Sequence, residues 1–231
     1  MIDFHSHILP GVDHGSKNLE EAKSQLSLVR ESGVEAIVAT SHFYPHIHNL
    51  EDFLLRVDAA VKDIEALKDE YQGLRVYLGA EVLVCEMLDK MPDLERLCIR
   101  GTNVLLLEMP STGKWDRYIQ TVENIIENGY TVVLAHIDRY LSAYEDGIRK
   151  LLRLGAKAQI NADSLRSIFE RKKLIPYIEN GAVYAVGSDL HGANKKDYKA
   201  FVAVEKRIGA ENFEAIQRRS TRLLNDANSI F

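Results

Sequence analysis

The sequence Thr131-Val-Val-Leu-Ala-His136 is a short apolar run that ends in a histidine. Such a run, rich in β-branched residues and apolar on both faces, is typical of a strand buried on both sides in a parallel sheet. Six similar runs occur elsewhere, so the sequence predicts seven strands. The predicted strands are residues 2–5, 36–40, 75–80, 104–108, 131–135, 158–161 and 183–187.

Amphipathic stretches lie between these runs. Asn18-Leu-Glu-Glu21 has the spacing of a capping box with Asn18 as the N-cap residue. Apolar residues then recur at spacings of three and four up to Gly33, which marks the end of this helix. Further helices are predicted at residues 51–71, 115–128, 141–154, 164–180, 196–208 and 210–224.

The regular alternation of strands and helices predicts an α/β fold with a parallel sheet. About seven βα units in 231 residues favour a distorted (β/α)7 TIM-like barrel, formed as a single domain over residues 1–231. An open doubly wound sheet is the alternative. The glycine motifs that bind nucleotide phosphates, G-x-G-x-x-G and G-x-x-x-x-G-K-[ST], are absent from the sequence.

Charge and hydropathy limit the classes of partner. The formal net charge is −5, whereas nucleic-acid binders are more often basic, so we expect no nucleic-acid partner. No apolar run is long enough to span a membrane, and Met1-Ile-Asp-Phe-His5 lacks the features of a signal peptide. We therefore expect a cytoplasmic protein without membrane insertion, in which Cys85 and Cys98 are reduced thiols.

Side chains of the metal-ligand type follow six of the seven predicted strands. In a parallel barrel the carboxyl ends of all strands meet at one face, so these side chains should converge there. Imidazoles and carboxylates together suit Zn, Mn or Fe. A single histidine after a strand is more often structural, so the interpretation depends on the whole set. The set is His5, His7, His42, Glu81, Glu108, His136, Asp189 and His191.

Other histidines and the cysteines fit this site less well. His46 and His48 lie in a loop, where we expect them to face solvent. Cysteine-based phosphatases need Cys-x5-Arg, but the residues six positions after Cys85 and Cys98 are Met91 and Val104. The Gly-x-Ser-x-Gly motif of serine hydrolases is also absent.

Five motifs, by their order and spacing, resemble the PHP (polymerase and histidinol phosphatase) superfamily. They are 5–15 (His-Ser-His-Ile-Leu-Pro-Gly-Val-Asp-His-Gly), 40–42 (Thr-Ser-His), 79–81 (Gly-Ala-Glu), 135–140 (Ala-His-Ile-Asp-Arg-Tyr) and 188–191 (Ser-Asp-Leu-His). The element at 136–140 is similar to that of bacterial manganese-dependent protein tyrosine phosphatases of the CpsB/YwqE type. The resemblance runs from Met1 to near the C-terminus and implies a PHP fold.

The resemblance also implies a site with three divalent metal ions, Mn foremost, with Fe, Co and Zn as alternatives. It implies three ligand sets: His5, His7, Glu81 and Asp189; Glu81, Glu108 and His136; His14, His42 and His191. Relatives usually carry Asp-Asp-Gly where this chain has Asp13-His14-Gly15, so the third metal has either His14 or Asp13 as a ligand.

The implied catalytic residues are Arg139, His42 and His136. Arg139 would bind a phosphate oxygen, although an ion pair with Asp138 or Glu145 is the structural alternative. Relatives often carry an arginine after the Asp-x-His motif; here Lys195 would supply charge to the substrate without a bidentate fork.

The implied function is hydrolysis of phosphotyrosine, on the tail of a bacterial tyrosine autokinase of capsule or exopolysaccharide synthesis. Three divalent ions and three carboxylates would leave a local charge of roughly +3, which attracts phosphate into an acidic protein. A small-molecule phosphoesterase, such as a histidinol-phosphate phosphatase, is one alternative. A metal-dependent module that binds phosphopeptides without turnover is the other. The oligomeric state stays open.

Overall fold

The computed structural model describes residues 1–193 and 195–231, without the side chains of residues 195–197. This part of the chain contains all seven predicted strands. They are β1 (Ile2–Ser6), β2 (Ala36–Phe43), β3 (Arg75–Leu83), β4 (Val104–Glu108), β5 (Thr131–Leu134), β6 (Lys157–Asn161) and β7 (Val183–Gly187). β2 and β3 continue beyond their predicted ends, because polar residues that end the apolar run, such as His42 and Glu81, remain paired in the ladder.

The seven strands form one parallel sheet in the order β1-β2-β3-β4-β5-β6-β7. A doubly wound sheet would reverse its strand order, so this alternative is wrong. The sheet closes between its first and last strands. The backbone N–H of Asp189 donates to the carbonyl of His5 at 2.8 Å, and that of His7 donates to the carbonyl of Leu190 at 3.1 Å. The predicted TIM-like barrel is confirmed.

The described residues form eight α-helices around the sheet. They are α1 (Leu19–Glu31), α2 (Leu50–Glu65), α3 (Asp116–Glu127), α4 (Leu141–Arg153), α5 (Ile168–Glu179), α6 (Lys195–Val202), α7 (Val204–Ile208) and α8 (Ala210–Leu223). The side chain of Asn18 caps α1, as predicted. The predicted helix at 164–180 begins later, since a 3-10 turn precedes the N-cap Ser167. A turn at Ala203 divides the predicted helix at 196–208.

The helices and the two cysteines can be compared with what the sequence predicted. None of their helices is long and apolar enough to cross a membrane. Cys85 and Cys98 are both free thiols, as expected. Burial raises the pKa of the Cys98 thiol to about 12, so this residue behaves as a packing residue.

Side chains that face the interior of the barrel form rows along the strands, and some of these rows end in predicted ligands. Val38, Leu106 and Val133 belong to one buried cluster, which the residues after α8 complete. Because strand side chains alternate with period two, His42 continues the row of Val38, and Glu108 continues that of Leu106. The apolar interior therefore passes into a polar site at the carboxyl ends of the strands.

Candidate metal centre

The first group of converging ligand atoms belongs to the fully buried residues His5, His7 and Glu81 and to Asp189, whose side chain is 7% exposed. Nε2 of His5 lies 3.1 Å from Nε2 of His7 and 3.1 Å from Oε2 of Glu81. Nε2 of His7 lies 3.3 Å from Oδ1 of Asp189. Three strand ends thus present two imidazole nitrogens and two carboxylate oxygens to one small volume.

Glu81 connects this group to a second one. Its Oε1 lies 2.7 Å from Nε2 of His136, and the same nitrogen lies 3.6 Å from Oε1 of Glu108. Its Oε2 lies 2.9 Å from Nδ1 of His42. Glu81 is fully buried, so both of its oxygens are committed to this cluster.

A stack of histidine rings forms the third group. The ring of His14 lies 4.8 Å from that of His42 and 4.6 Å from that of His191, measured between centroids. The rings of His7 and His191 are 4.0 Å apart. Ligand atoms of His7, His42 and His191 lie within 4.8 Å of one another.

Several atoms of these groups lack a hydrogen-bond partner among the described residues. They include Nδ1 of His42, Oε2 of Glu81 and Nε2 of His191, all buried. The first two are close to each other but are not directed for a hydrogen bond. A buried polar atom without a partner costs about 1–3 kcal/mol, and bound divalent cations would satisfy these atoms. The residues present therefore fit metal ions.

The two glutamates differ in charge state in the protein without metal. Burial favours the neutral form of Glu81, but the facing His5 and contacts with His136 and His42 hold its pKa well below the usual range. Burial, followed by repulsion from Glu81, raises the pKa of Glu108 to about 7. Opposite shifts in adjacent carboxyl groups are typical of functional sites.

Asp13 and His14 occupy different places. Oδ2 of Asp13 accepts from Nδ1 of His7 at 2.8 Å and from the backbone N–H of His42 at 2.9 Å, while Oδ1 accepts from Gly15 at 2.8 Å. Asp13 thus orients His7, a predicted metal ligand, through the ring nitrogen that does not face the other ligands. The ring of His14 is exposed and faces the histidine stack.

Arg139 lies at the mouth of the site with its side chain 48% exposed. Its guanidinium donates to Oδ2 of Asp189. Asp138 and Glu145, the alternative ion-pair partners of Arg139, have other contacts. Asp138 accepts from the backbone N–H of Asn161, and Glu145 pairs with Arg149. The side chain of Lys195, the other predicted substrate contact, lies outside the described residues.

The loop histidines stand apart from the cluster. His46 is exposed, as expected. His48 is half-buried: its Nδ1 accepts from the backbone N–H of Tyr44 at 3.1 Å, and its ring stacks on Phe53. The expectation that His48 faces solvent is therefore wrong, because the tight turn after β2 folds its ring back onto α2.

Two polar residues of β6, Gln159 and Asn161, contact the site but were not predicted from the sequence. Gln159 is fully buried beside His5 and His136, and Asn161 donates to Asp189 at 2.8 Å. The available signal was the presence of two amides in Ala158-Gln-Ile-Asn161, a strand otherwise buried among apolar residues.

Comparison with known proteins agrees with this architecture. The family model "Capsular polysaccharide synthesis, CpsB/CapC" matches residues 1–225. The tyrosine-protein phosphatase CpsB of Streptococcus agalactiae serotype V is 28% identical over 244 aligned positions, covering 100% of this chain and 98% of the relative. The tyrosine-protein phosphatase YwqE of Bacillus subtilis is 25% identical, covering 91% of this chain and 86% of the relative.

Solved structures share the fold. One, from work on YwqE of Bacillus subtilis and CpsB of Streptococcus pneumoniae, described as metal-dependent tyrosine phosphatases, superposes with a TM-score of 0.81 at 24% identity, covering 99% of this chain and 96% of that one. Histidinol phosphate phosphatase from Lactococcus lactis superposes with a TM-score of 0.60 at 13% identity, covering 91% and 93%. The match of the family model over almost the whole sequence shows that this chain belongs to the CpsB/CapC family, as its motifs predicted.

Proposed function

We propose that this chain, as a single domain of residues 1–231, is a metal-dependent protein tyrosine phosphatase. The observation that carries the proposal is the convergence of His5, His7, Glu81 and Asp189 beneath the half-exposed Arg139. Membership of the CpsB/CapC family and the tyrosine phosphatases among its relatives support it. The proposed substrate is a phosphotyrosine in the tail of a bacterial tyrosine autokinase of capsule or exopolysaccharide synthesis, on which this protein would act in the cytoplasm.

The three groups of converging atoms support three metal ions, Mn first, then Fe, Co or Zn. Glu81 would be a ligand of the first two ions, since its Oε2 faces His5 and its Oε1 faces His136. His14, with His42 and His191, would hold the third. When bound, the ions supply Lewis acidity toward the phosphate oxygens and hydroxide at neutral pH.

The protein's own contribution is to position charge. Arg139 can turn from Asp189 toward a phosphate oxygen, because its side chain is half-exposed at the mouth and its guanidinium offers further donors. His136 forms a hydrogen bond with Oε1 of Glu81, and His42 lies close to Oε2, which keeps this carboxylate ionised. The leaving phenolate of tyrosine, whose conjugate acid has a pKa of about 10, needs less protonation than an alkoxide.

A three-substrate assay tests the proposal. Protein loaded with Mn, Fe, Co or Zn would be compared on a phosphotyrosine peptide, histidinol phosphate and single-stranded DNA. We expect the highest kcat/KM on the phosphotyrosine peptide, and loss of activity in His7→Ala. Preference for either other substrate would overturn the assignment. Tight peptide binding without turnover at full metal occupancy would instead indicate a binding module.

A further inference from the structure

β6 carries none of the predicted ligands, yet two of its side chains reach three of them. Oε1 of Gln159 lies 3.2 Å from Nδ1 of His5 and 2.6 Å from the backbone N of His136. Nδ2 of Asn161 donates to Oδ2 of Asp189 at 2.8 Å. The two amides are joined, since Nε2 of Gln159 donates to Oδ1 of Asn161 at 3.0 Å.

The orientation of both amides follows from partners that have only one hydrogen-bonding role. The backbone N–H of His136 can only donate, and it contacts Oε1 of Gln159. The carbonyl of Ile160 can only accept, and it lies 2.8 Å from Nε2 of Gln159. Oε1 of Gln159 therefore faces His5, whose Nδ1 must be the donor. At the other end, a carboxylate oxygen of Asp189 can only accept, which fixes Asn161 independently in the consistent orientation.

This arrangement leaves the opposite nitrogen of His5, Nε2, with a free lone pair directed at Glu81 and His7. It also holds His136, whose φ of 30° lies in the left-handed region that is unfavourable for residues with a side chain. Gln159 is fully buried and packs against Gly187, where an added Cβ would come within 2.8 Å of its Nε2.

We propose that Gln159 and Asn161 are positioning residues that preset the metal site through β6. Gln159 selects the tautomer of His5 that presents Nε2, and it ties this ring to His136. Asn161 holds one oxygen of Asp189 so that the other faces the histidines. The inference rests on the ligand set of the proposed function. Partners of this kind change metal affinity by about 10–100-fold when they are removed from metal sites.

The experiment measures binding of Mn²⁺ alone, by titration calorimetry, to wild-type protein and matched variants. Gln159→Met keeps the length of the side chain but removes its hydrogen bonds, and we expect Kd to rise about 10–100-fold. Gln159→Glu keeps an acceptor toward His5 but loses the Nε2 donor to Ile160 and Asn161, so we expect Mn²⁺ affinity between those of Gln159→Met and the wild type. The control is Gln217→Met, because Gln217 accepts from the backbone of Ile2 at the far end of β1.

Wild-type affinity in folded Gln159→Met, or an equal loss of affinity in Gln217→Met, would overturn the proposal. If Gln159→Met does not fold, the wild-type protein loaded with Zn²⁺ still provides a test. Its histidine ¹⁵N spectra should show His5 protonated at Nδ1, and a proton at Nε2 would overturn the inference. Neither measurement uses a phosphorylated substrate, so failure of the phosphotyrosine assay leaves them interpretable.

Discussion

Arg139 and Asp189 form an ion pair that uses only one of the two carboxylate oxygens of Asp189. Oδ2 of Asp189 accepts from the guanidinium of Arg139, while Oδ1 faces His7 at 3.3 Å. Asn161 shares Oδ2 with the arginine. Asp189 can therefore remain oriented when Arg139 turns toward a substrate, because the amide continues to hold the same oxygen.

Arg139→Ala should lower kcat/KM on a phosphotyrosine peptide by about 10²–10³-fold, the typical loss for one donor to a developing negative charge. Bound metal should be unchanged, since Asn161 still orients Asp189. Arg139→Lys should recover part of the loss, because lysine keeps charge but not the planar fork. Steady-state kinetics with metal analysis checks this. Arg149→Ala, an exposed position on α4, is the control, and an equal loss there would contradict the assignment.

His14→Ala and Asp13→Ala should affect metal binding differently. His14 faces the histidine stack, so its removal should lower the number of bound ions by one. Asp13 orients His7, so its removal should keep the number at saturation but weaken affinity by about 10–100-fold. Mass-spectrometric metal counting beside titration separates the two effects. The reverse pattern would identify Asp13 as the ligand.

Asp138→Asn should change the pH dependence of stability in metal-free protein. Burial raises the pKa of Asp138 from 3.8 to about 6, against a backbone hydrogen bond from Asn161 that lowers it. Since the folded state binds the proton more tightly, wild-type protein loses up to about 3 kcal/mol from this group as pH rises from below 4 to above 6. The amide that replaces this carboxyl does not titrate, so the unfolding free energy of Asp138→Asn relative to the wild type should increase as pH rises across this range.

Urea unfolding of both proteins at pH 4, 5, 6 and 7.5 measures this difference. The comparison is conservative, because asparagine keeps the oxygen that accepts from Asn161. A stability difference that is constant between pH 4 and pH 7.5 would show that Asp138 ionises with an ordinary pKa.

Gly187→Ala should damage both stability and metal binding. A Cβ at this position would lie 2.4 Å from Cβ of His5 and 2.8 Å from Nε2 of Gln159, so β1 and β6 would have to move. We expect a loss of about 1–3 kcal/mol in unfolding free energy, with weaker Mn²⁺ binding. Gly79→Ala is the matched strand control, since the three atoms nearest to an added Cβ would all belong to Ile99, with its Cγ1 at 3.1 Å. Equal effects on metal binding in both variants would contradict the prediction.

The sequence predicted the strands, the barrel and the family, because long-range order in this fold follows from local patterns. Apolar runs define buried strands, and parallel strands bring residues such as His5 and Asp189 to one face whatever their separation in the chain. Family membership was likewise carried by motifs with fixed spacing, and the family model matches the same residues.

What the sequence did not show depends on side-chain direction. Asp13 and His14 are adjacent in a loop, yet Asp13 accepts from Nδ1 of His7, whereas the ring of His14 stacks near those of His42 and His191. The two amides of β6 have no evident role until the partners of Gln159, His5 and His136, are known. The ring of His48 is held by a contact with the backbone of Tyr44 that has no pattern in the sequence.

The barrel closes where β1 meets β7, and the proposed first ion would take His5 and His7 from one side of that seam and Asp189 from the other. A bound ion would therefore join the start of the chain to Asp189, as a disulfide would, and would close most of the sequence into one loop. Metal removal should loosen the seam before the rest of the barrel. The backbone amides of His7 and Asp189 bridge this seam just beyond the ends of β1 and β7, and they should be the first barrel amides whose hydrogen-exchange rate rises.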